Sequence, residues 1–229
     1  MRTVRAVFFD AGATLVRPAP PVEEVYASEF SRDGGSFSAR ELYGALALAW
    51  QEVQAEKAAD RYGGVRGEPE FWRMFLNRVR ARLDGGVVSA QAFERLTAHF
   101  RDPGSWSVYA DVTGVLANLE ARGFLLAVVS NWDSHLPALL EGLGLARSFR
   151  ALSVSAIEET GKPEPEIFLR TCERLAVAPA EALHVGDSLA EDYEGARAAG
   201  LQALLLDRED RHPQIEDRIR SLTELLLRV

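Results

Sequence analysis

Short apolar segments alternate with stretches of helical periodicity along this chain, and that alternation constrains its fold more than any other feature. Short apolar runs are typical of buried strands, and apolar residues that recur every three or four positions are typical of amphipathic helices. The predicted strands cover residues 4–9, 124–130, 151–154, 182–185 and 202–206, and the helices between them cover residues 112–122, 135–143, 165–175 and 189–199. Strands that alternate with such helices form βαβ units, so the sequence predicts an α/β fold with a parallel sheet of about five strands.

The first strand is separated from the next one by an insertion of roughly ninety residues, far longer than an ordinary connection. Helical patterns fill the insertion at residues 22–32, 39–61, 68–83 and 89–101. Ser36 or Ser38 is suited to cap the second of these helices, and Ser89 the fourth. We therefore predict a Rossmann-like core formed by residues 1–15 and 106–229, with an inserted α-helical cap domain formed by residues 16–105.

Composition excludes several classes of function. The net charge of −8 argues against nucleic acid as a partner, because binding to its phosphates requires a basic surface. The single cysteine, Cys172, cannot form an intrachain disulfide, and we expect it to be buried on a helix. No apolar run approaches the length of a membrane span and no leader precedes the first strand, so we expect a cytoplasmic protein that does not bind membranes.

Four short polar motifs follow predicted strands or lie close to their ends. They are Asp10 with the turn 11–14, Ser130-Asn131, Lys162 within the segment 161–165, and Asp187-Ser188 followed by Asp192. In a doubly wound sheet such positions converge on one crevice at the carboxyl ends of the strands. A carboxylate, a hydroxyl, an ammonium group and a second acidic cluster together favour phosphoryl transfer through a covalent aspartyl intermediate, assisted by a divalent cation.

Each motif also has an ordinary structural interpretation. Asp10 could cap a turn, Ser130 could be a turn serine, and Lys162 could be a solvated loop residue. The two aspartates of the fourth motif could simply form the acidic first turn of a helix. For Lys162 the composition favours function, because arginine supplies every other basic side chain except Lys57. A retained lysine indicates a position that needs a compact ammonium group.

The four motifs in this order resemble the haloacid dehalogenase-like hydrolases with a helical cap, and most closely the mammalian haloacid dehalogenase-like hydrolase domain-containing proteins. The segments 130–133, 162–168 and 195–200 fit the same resemblance. It implies Asp10 as the nucleophile and Mg²⁺ as the cofactor. It further implies that Mg²⁺ is held by Asp10, the carbonyl of Gly12, Asp187 and Asp192, and that the phosphoryl group contacts Thr14, Ser130, Asn131 and Lys162, with Ser188 in support.

The sequence departs from this family at Gly12. The phosphatases carry an aspartate two residues after the nucleophile, which protonates the leaving group and then activates water. Glycine retains only the backbone carbonyl, so the metal site survives while acid/base assistance, typically worth about 10² to 10⁴ in rate, is lost. The missing aspartate predicts that Gly12→Asp raises the turnover of alkyl phosphates. Ala13 is a second departure, because glycine is usual there and the dihedral angles of the turn depend on it.

Three functions remain open at this point. The first is a Mg²⁺-dependent phosphatase of a small phosphorylated metabolite that is slow or limited to good leaving groups. The second is a non-catalytic relative that binds a phosphorylated ligand or a protein. The third is a 2-haloacid dehalogenase-like enzyme, since halide leaves without a proton; the acidic pair Asp187 and Asp192 argues against it. The sequence makes no prediction of oligomeric state.

Overall fold

A computed structural model of the chain describes residues 4–55 and 64–229. The chain divides into two compact units, of which the first comprises Met1–Arg17 and Val108–Val229 and the second comprises Pro18–Ser107. The roles assigned to these parts from the sequence, catalytic core and cap, stay predictions.

A six-stranded parallel sheet organises the first unit. The strands of the described chain are β1 (Ala6–Phe9), β2 (Val16–Pro18), β3 (Trp106–Val108), β4 (Leu125–Ser130), β5 (Ala151–Val154), β6 (Ala182–Gly186), β7 (Gln202–Leu206) and β8 (Arg218–Ile219). The large sheet has the order β5-β4-β1-β6-β7-β8 with every pair parallel, and β2 and β3 form a second, two-stranded sheet. The predicted α/β class is confirmed. The sequence did not reveal β2, β3 and β8, because two or three residues are too few to leave an apolar pattern.

The helices follow the predicted pattern with local differences. They are α1 (Val22–Arg32), α2 (Ala39–Ala55), α3 (Gly64–Leu83), α4 (Ala90–Arg101), α5 (Val112–Ala121), α6 (Leu136–Gly142), α7 (Ser155–Glu158), α8 (Pro165–Leu175), α9 (Gly195–Ala198) and α10 (Leu222–Leu225). Residues 56–61 of the predicted second cap helix lie outside the described residues. Helix α3 begins before the predicted residue 68, because Gly64 and Gly67 lower helix propensity and conceal its first turn.

The largest difference falls in the predicted helix 189–199. The chain forms a π-helical segment there, Leu189–Glu194, followed by the short helix α9. The carbonyl of Ser188 accepts hydrogen bonds from the N–H groups of both Asp192 and Tyr193, at 3.0 and 3.1 Å, which widens the turn. Such π-bulges are frequent at functional sites, and this one carries Asp192.

The core of the first unit forms around β1, the third strand of the sheet order, whose four residues are all fully buried. On one side of the sheet α8 packs Ile167, Phe168 and Cys172 against strand residues such as Phe8. Cys172 is 2% exposed, which confirms its predicted burial on a helix. Because an interior of this density is close to rigid, the carboxyl ends of β1, β4 and β6 are fixed relative to one another.

The second unit contains helices α1–α4 and has a core of its own. Its fully or nearly fully buried side chains include Phe30, Leu42, Val79 and Leu96. The predicted caps are confirmed: the N–H of Glu41 donates to Ser38 Oγ at 3.3 Å, and the N–H of Ala92 donates to Ser89 Oγ at 3.1 Å. Among residues 4–55 and 64–229, no helix combines the length and the apolar character needed to cross a membrane.

Candidate active site

Asp10 is the first residue after β1 and lies at the carboxyl edge of the sheet. Its neighbours are set by the register, which places Phe9 beside Val128 of β4 and Val185 of β6. The N–H of Asp10 donates to the carbonyl of Val185 at 3.0 Å, and the residue is 7% exposed. The sheet therefore delivers a buried carboxylate between the ends of its two neighbouring strands, as the sequence predicted for such an edge.

Two donors converge on one oxygen of that carboxylate. Ser130 Oγ donates to Asp10 Oδ1 at 2.9 Å, and Lys162 Nζ donates to the same atom at 2.7 Å. Burial raises the pKa of Asp10 above its usual value, and the ammonium of Lys162 opposes that rise. Within the described residues, no hydrogen bond reaches the second oxygen, Oδ2, so it is the oxygen left to attack or to coordinate.

Lys162 joins two carboxylates. Its ammonium lies 2.7 Å from Asp10 Oδ1 and 2.5 Å from Asp192 Oδ1, and the residue is only 3% exposed. Burial works against the charged form, but the carboxylates of Asp10 and Asp192 outweigh it and raise the pKa of Lys162. The lysine is thus a fixed positive charge inside the site, and it is not the solvated loop residue of the alternative interpretation.

Asn131 holds the peptide unit that carries Lys162. Its Oδ1 accepts from the Lys162 N–H at 2.7 Å, and its Nδ2 donates to the Lys162 carbonyl at 2.8 Å. The same Nδ2 donates to Glu191 Oε2 at 2.9 Å. A Cβ at Gly161 would lie 2.6 Å from Asn131 Oδ1, so the approach of the two loops requires glycine there. The predicted contact of Asn131 with substrate stays a prediction.

Three carboxylates surround the position predicted for the metal. Ligand oxygens of Asp10, Asp187 and Asp192 all lie within 4.8 Å of one another. Burial, together with the charges of Asp10 and Asp192, raises the pKa of Asp187 to about 7. Crowded anionic oxygens of this kind fit Mg²⁺, which takes one to a few carboxylates and keeps several waters. Gly12 lies in the adjoining turn, and its role as a carbonyl ligand stays a prediction.

The fourth motif holds Asp192 more tightly than the sequence indicated. Its Oδ1 lies 2.8 Å from His184 Nε2, and its Oδ2 accepts from the Ser188 N–H at 2.9 Å. The attraction of Lys162 and the His184 hydrogen bond outweigh burial and hold the pKa of Asp192 well below its usual range. A Cβ at Gly186 would lie 2.2 Å from Asp192 Cγ, so only glycine leaves room for this carboxylate.

His184 makes a contact with Asp192 that the sequence analysis did not identify, because the histidine lies within the buried strand β6. The residue is fully buried and packs edge-on against Phe168, with ring centroids 5.1 Å apart. The position of His184 in its strand could have indicated this contact. Residues two apart on a strand share a face, so His184 lies on the same face as Gly186. Burial lowers the pKa of His184, so the neutral ring donates from Nε2 to the ionised Asp192.

The turn after Asp10 accommodates both departures from the family pattern. Ala13 adopts the left-handed conformation, φ 55°, so the turn keeps the geometry that glycine usually supplies. The N–H groups of Leu15 and Val16 both donate to the carbonyl of Ala11, at 2.8 and 3.0 Å, and close the turn. At Gly12, a Cβ would lie 3.0 Å from Cζ3 of Trp132, a residue that the sequence analysis did not single out.

Thr14 and Ser188 have local structural contacts. Thr14 is fully buried, and its Oγ1 has no hydrogen-bond partner in the part of the chain that the structure describes. The Thr14 carbonyl accepts from Arg208 Nη2 at 3.0 Å, and Arg208 also makes two hydrogen bonds to Asp111. Ser188 Oγ accepts from the Glu191 N–H at 3.2 Å and caps the π-helical segment. Their predicted support of the substrate stays a prediction.

The structure brings the central residues of the predicted site together. Asp10, Ser130, Lys162 and Asp192 form one connected set of hydrogen bonds and ion pairs, and Asp187 lies within the same group of carboxylates. Such an arrangement offers an anionic nucleophile, two donors directed at it, one buried cation and oxygen ligands for a hard metal ion.

Known proteins are similar to this chain in sequence and in fold along nearly its full length. A family model described as haloacid dehalogenase-like hydrolase matches residues 4–200. Haloacid dehalogenase-like hydrolase domain-containing protein 3 of Danio rerio is 30% identical and is aligned over 99% of this chain and 96% of its own length. Phosphoserine phosphatase of Thermus thermophilus is 30% identical, over 98% of each chain. A HAD phosphatase from Thermococcus onnurineus superposes with a TM-score of 0.68 at 29% identity, covering 97% of this chain and 96% of its own.

The similarity and the site geometry agree. The match covers the segment that contains every residue of the candidate site, from Asp10 to Asp192. The chain belongs to the haloacid dehalogenase-like hydrolase family.

Proposed function

We propose that this chain is a Mg²⁺-dependent phosphatase of a small phosphorylated molecule, and that it acts best on substrates with good leaving groups. The observation that carries the proposal is the buried set of Asp10, Ser130 and Lys162 beside the carboxylates of Asp187 and Asp192. Relatives named as phosphatases support the reaction class. The net charge of −8 favours a small ligand over nucleic acid.

In this proposal Asp10 attacks phosphorus. An oxygen of Asp10 forms a bond to phosphorus, the bond from phosphorus to the leaving-group oxygen breaks, and the leaving group departs as its anion. Ser130 and Lys162 orient the carboxylate through Oδ1, and the ammonium of Lys162 offsets the charge that gathers on the phosphoryl oxygens. Water then attacks the phosphorus of the aspartyl phosphate, releases inorganic phosphate and restores the carboxylate.

Three carboxylates would hold the metal ion. Asp10, Asp187 and Asp192 supply oxygens within 4.8 Å of one another, and burial together with the charges of Asp10 and Asp192 raises the pKa of Asp187 to about 7, a crowding of negative charge that a cation would relieve. When bound, Mg²⁺ supplies charge neutralisation for the transferring phosphoryl group. Lys162 and Ser188 keep Asp192 oriented for this role through hydrogen bonds to its two oxygens.

The leaving group sets the preference because Gly12 has no side chain to protonate it. A weakly basic leaving group, such as a phenolate or a carboxylate, departs without a proton. An alkoxide does not, and the missing general acid slows such substrates by about 10² to 10⁴. Aryl and acyl phosphates are therefore the proposed substrate class.

A series of aryl phosphates with leaving groups of increasing pKa tests the proposal. We expect kcat/KM to fall steeply as the leaving-group pKa rises, to require Mg²⁺, and to vanish in Asp10→Asn. A flat dependence on leaving-group pKa would contradict the preference. Hydrolysis that persists at the wild-type level in Asp10→Asn would remove Asp10 from the reaction.

Two further assays separate the rival functions. A non-catalytic relative would bind inorganic phosphate in a calorimeter with Mg²⁺ present, yet hydrolyse no member of the aryl phosphate series. A dehalogenase would release halide from 2-chloropropionate without Mg²⁺. Asp187 and Asp192 argue against the dehalogenase, because their charge repels the carboxylate of a haloacid.

A further inference from the structure

The space beside Gly12 is limited by a side chain and not by the backbone. The φ of Gly12 is outside the left-handed region, so its conformation accepts a residue with a Cβ. A Cβ built there would nevertheless lie 3.0 Å from Trp132 Cζ3, well inside the usual contact distance between carbon atoms. Two further ring atoms of Trp132, Cε3 and Cη2, would lie at 3.9 Å. The benzene ring of the indole thus covers the position from which a side chain at residue 12 would extend.

The backbone of Trp132 is anchored on two sides. Its N–H donates to Ser155 Oγ at 3.1 Å, and its carbonyl accepts from Ser155 Oγ at 3.2 Å and from the Ala156 N–H at 3.3 Å. The preceding residue, Asn131, is bonded at both ends of its side-chain amide to the peptide of Lys162. The ring therefore cannot be displaced by a simple shift of its loop without disturbing the lysine that contacts Asp10.

We propose that Trp132 is a specificity-determining residue of this site, because its indole ring occupies the position from which an acid/base side chain at residue 12 would act. The proposal rests on the proposed phosphatase function. The leaving group meets an aromatic ring that neither donates nor accepts the catalytic proton, and the substrate class is narrowed to phosphates of weakly basic leaving groups. Gly12 and Trp132 then form one coupled pair, in which the glycine makes room for the ring.

The coupling changes what a single substitution does. The absence of an aspartate from the sequence suggests that Gly12→Asp alone restores acid/base assistance. With Trp132 in contact, the new side chain either is held away from the reacting atoms or displaces the ring and disturbs the loop that places Lys162. We therefore expect Gly12→Asp alone to give no increase in kcat/KM for alkyl phosphates. Acid/base assistance returns only when the indole ring of Trp132 is also removed.

A stability cycle tests the packing without any substrate. Gly12→Ala is compared in the wild-type and Trp132→Ala backgrounds, with Gly114→Ala as the matched control because a Cβ there meets no atom within 4 Å. We expect Gly12→Ala to lower the midpoint of thermal unfolding in the wild type and to have no such effect beside Trp132→Ala. Equal effects in the two backgrounds would overturn the proposal.

A kinetic cycle tests the specificity with methyl phosphate and an aryl phosphate. We expect kcat/KM for methyl phosphate in the Gly12→Asp, Trp132→Ala double variant to exceed that of Trp132→Ala by about 10² or more, while Gly12→Asp alone gains nothing over wild type. A full gain in Gly12→Asp alone, or none in a double variant that still binds Mg²⁺, overturns the proposal. Failure of the phosphatase function itself would instead appear as a wild-type protein that hydrolyses no aryl phosphate, or as hydrolysis that is undiminished in Asp10→Asn.

Discussion

The side-chain amide of Asn131 hydrogen-bonds to both backbone polar groups of Lys162, accepting from its N–H at 2.7 Å and donating to its carbonyl at 2.8 Å. Through this pair the loop after β4 fixes the lysine that contacts both Asp10 and Asp192. Asn131 therefore acts on the site by positioning Lys162. Its own contact with the phosphoryl group stays a prediction.

Asn131→Ala is expected to reduce kcat/KM by about 10- to 100-fold, a loss of the size typical for residues that support a metal site without binding the metal. The reason is that Lys162 loses both hydrogen bonds that hold its backbone. Steady-state hydrolysis of an aryl phosphate measures the effect, and Asn118→Ala on the exposed face of α5 is the matched control. Unchanged kinetics in Asn131→Ala would show that the rest of the loop is sufficient to place Lys162.

Gly186→Ala is expected to destabilise the protein and to abolish Mg²⁺ binding. The added Cβ would lie 2.2 Å from Asp192 Cγ, and such overpacking typically costs about 1–3 kcal/mol. Chemical unfolding and calorimetry measure the two effects. Gly114→Ala in α5 is the control and should stabilise by up to about 1 kcal/mol, since alanine favours helix there. Normal Mg²⁺ affinity in a folded Gly186→Ala protein would contradict the close packing.

The affinity for Mg²⁺ is expected to rise as the pH increases through about 7, the pKa of Asp187, because metal binding needs the ionised carboxylate. Stability without metal follows the opposite trend. The folded-state pKa of Asp187 lies above its usual 3.8, so between these values the folded protein binds more protons than the unfolded chain. The contribution of Asp187 to stability is full below pH 3.8 and is lost as the pH rises through about 7.

Calorimetric titration of Mg²⁺ from pH 5.5 to 8 tests this dependence, with Asp187→Asn as the comparison. The variant should bind Mg²⁺ weakly at every pH. A wild-type affinity that is constant over this range would show that Asp187 is already ionised in the metal-free protein.

A burst of product is expected when the wild-type protein is mixed with an excess of an aryl phosphate in a stopped-flow experiment. Formation of the aspartyl phosphate is fast with a good leaving group, but Gly12 supplies no base to activate water, so hydrolysis of the intermediate is the slow step. The burst should approach about one product per active site, and Asp10→Asn should show none. A linear trace from the first turnover would place the slow step before or at the formation of the intermediate.

The main features of the site were accessible from the sequence because they depend on strand ends. Asp10 and Asp187 each follow a buried strand directly and Ser130 is the last residue of β4, and parallel strands bring such positions to one edge. Lys162 lies farther from its strand, β5, and its placement rested on composition and on resemblance. Its burial between two carboxylates followed only from the tertiary structure.

What the sequence did not predict depends on contacts between residues from different loops. Trp132 lies on the loop after β4 and meets Gly12 on the loop after β1, a contact without any local pattern. The π-helical segment depends on two N–H groups that share the carbonyl of Ser188, and the His184 contact to Asp192 joins a strand to that segment; hydrophobic periodicity registers neither. In the family pattern Gly12 only marks the position of a missing aspartate. In the structure Gly12 also faces the ring of Trp132.

The charge of the buried cluster also favours one order of ligand entry. At a pH high enough to ionise Asp10, Asp187 and Asp192 while Lys162 stays protonated, the group carries two more negative charges than positive ones. A phosphate dianion that arrived first would be repelled. In the proposed function a divalent cation would cancel this excess, so we expect the cation to enter before the phosphate and the cluster's own charge to keep phosphate esters out of the metal-free protein.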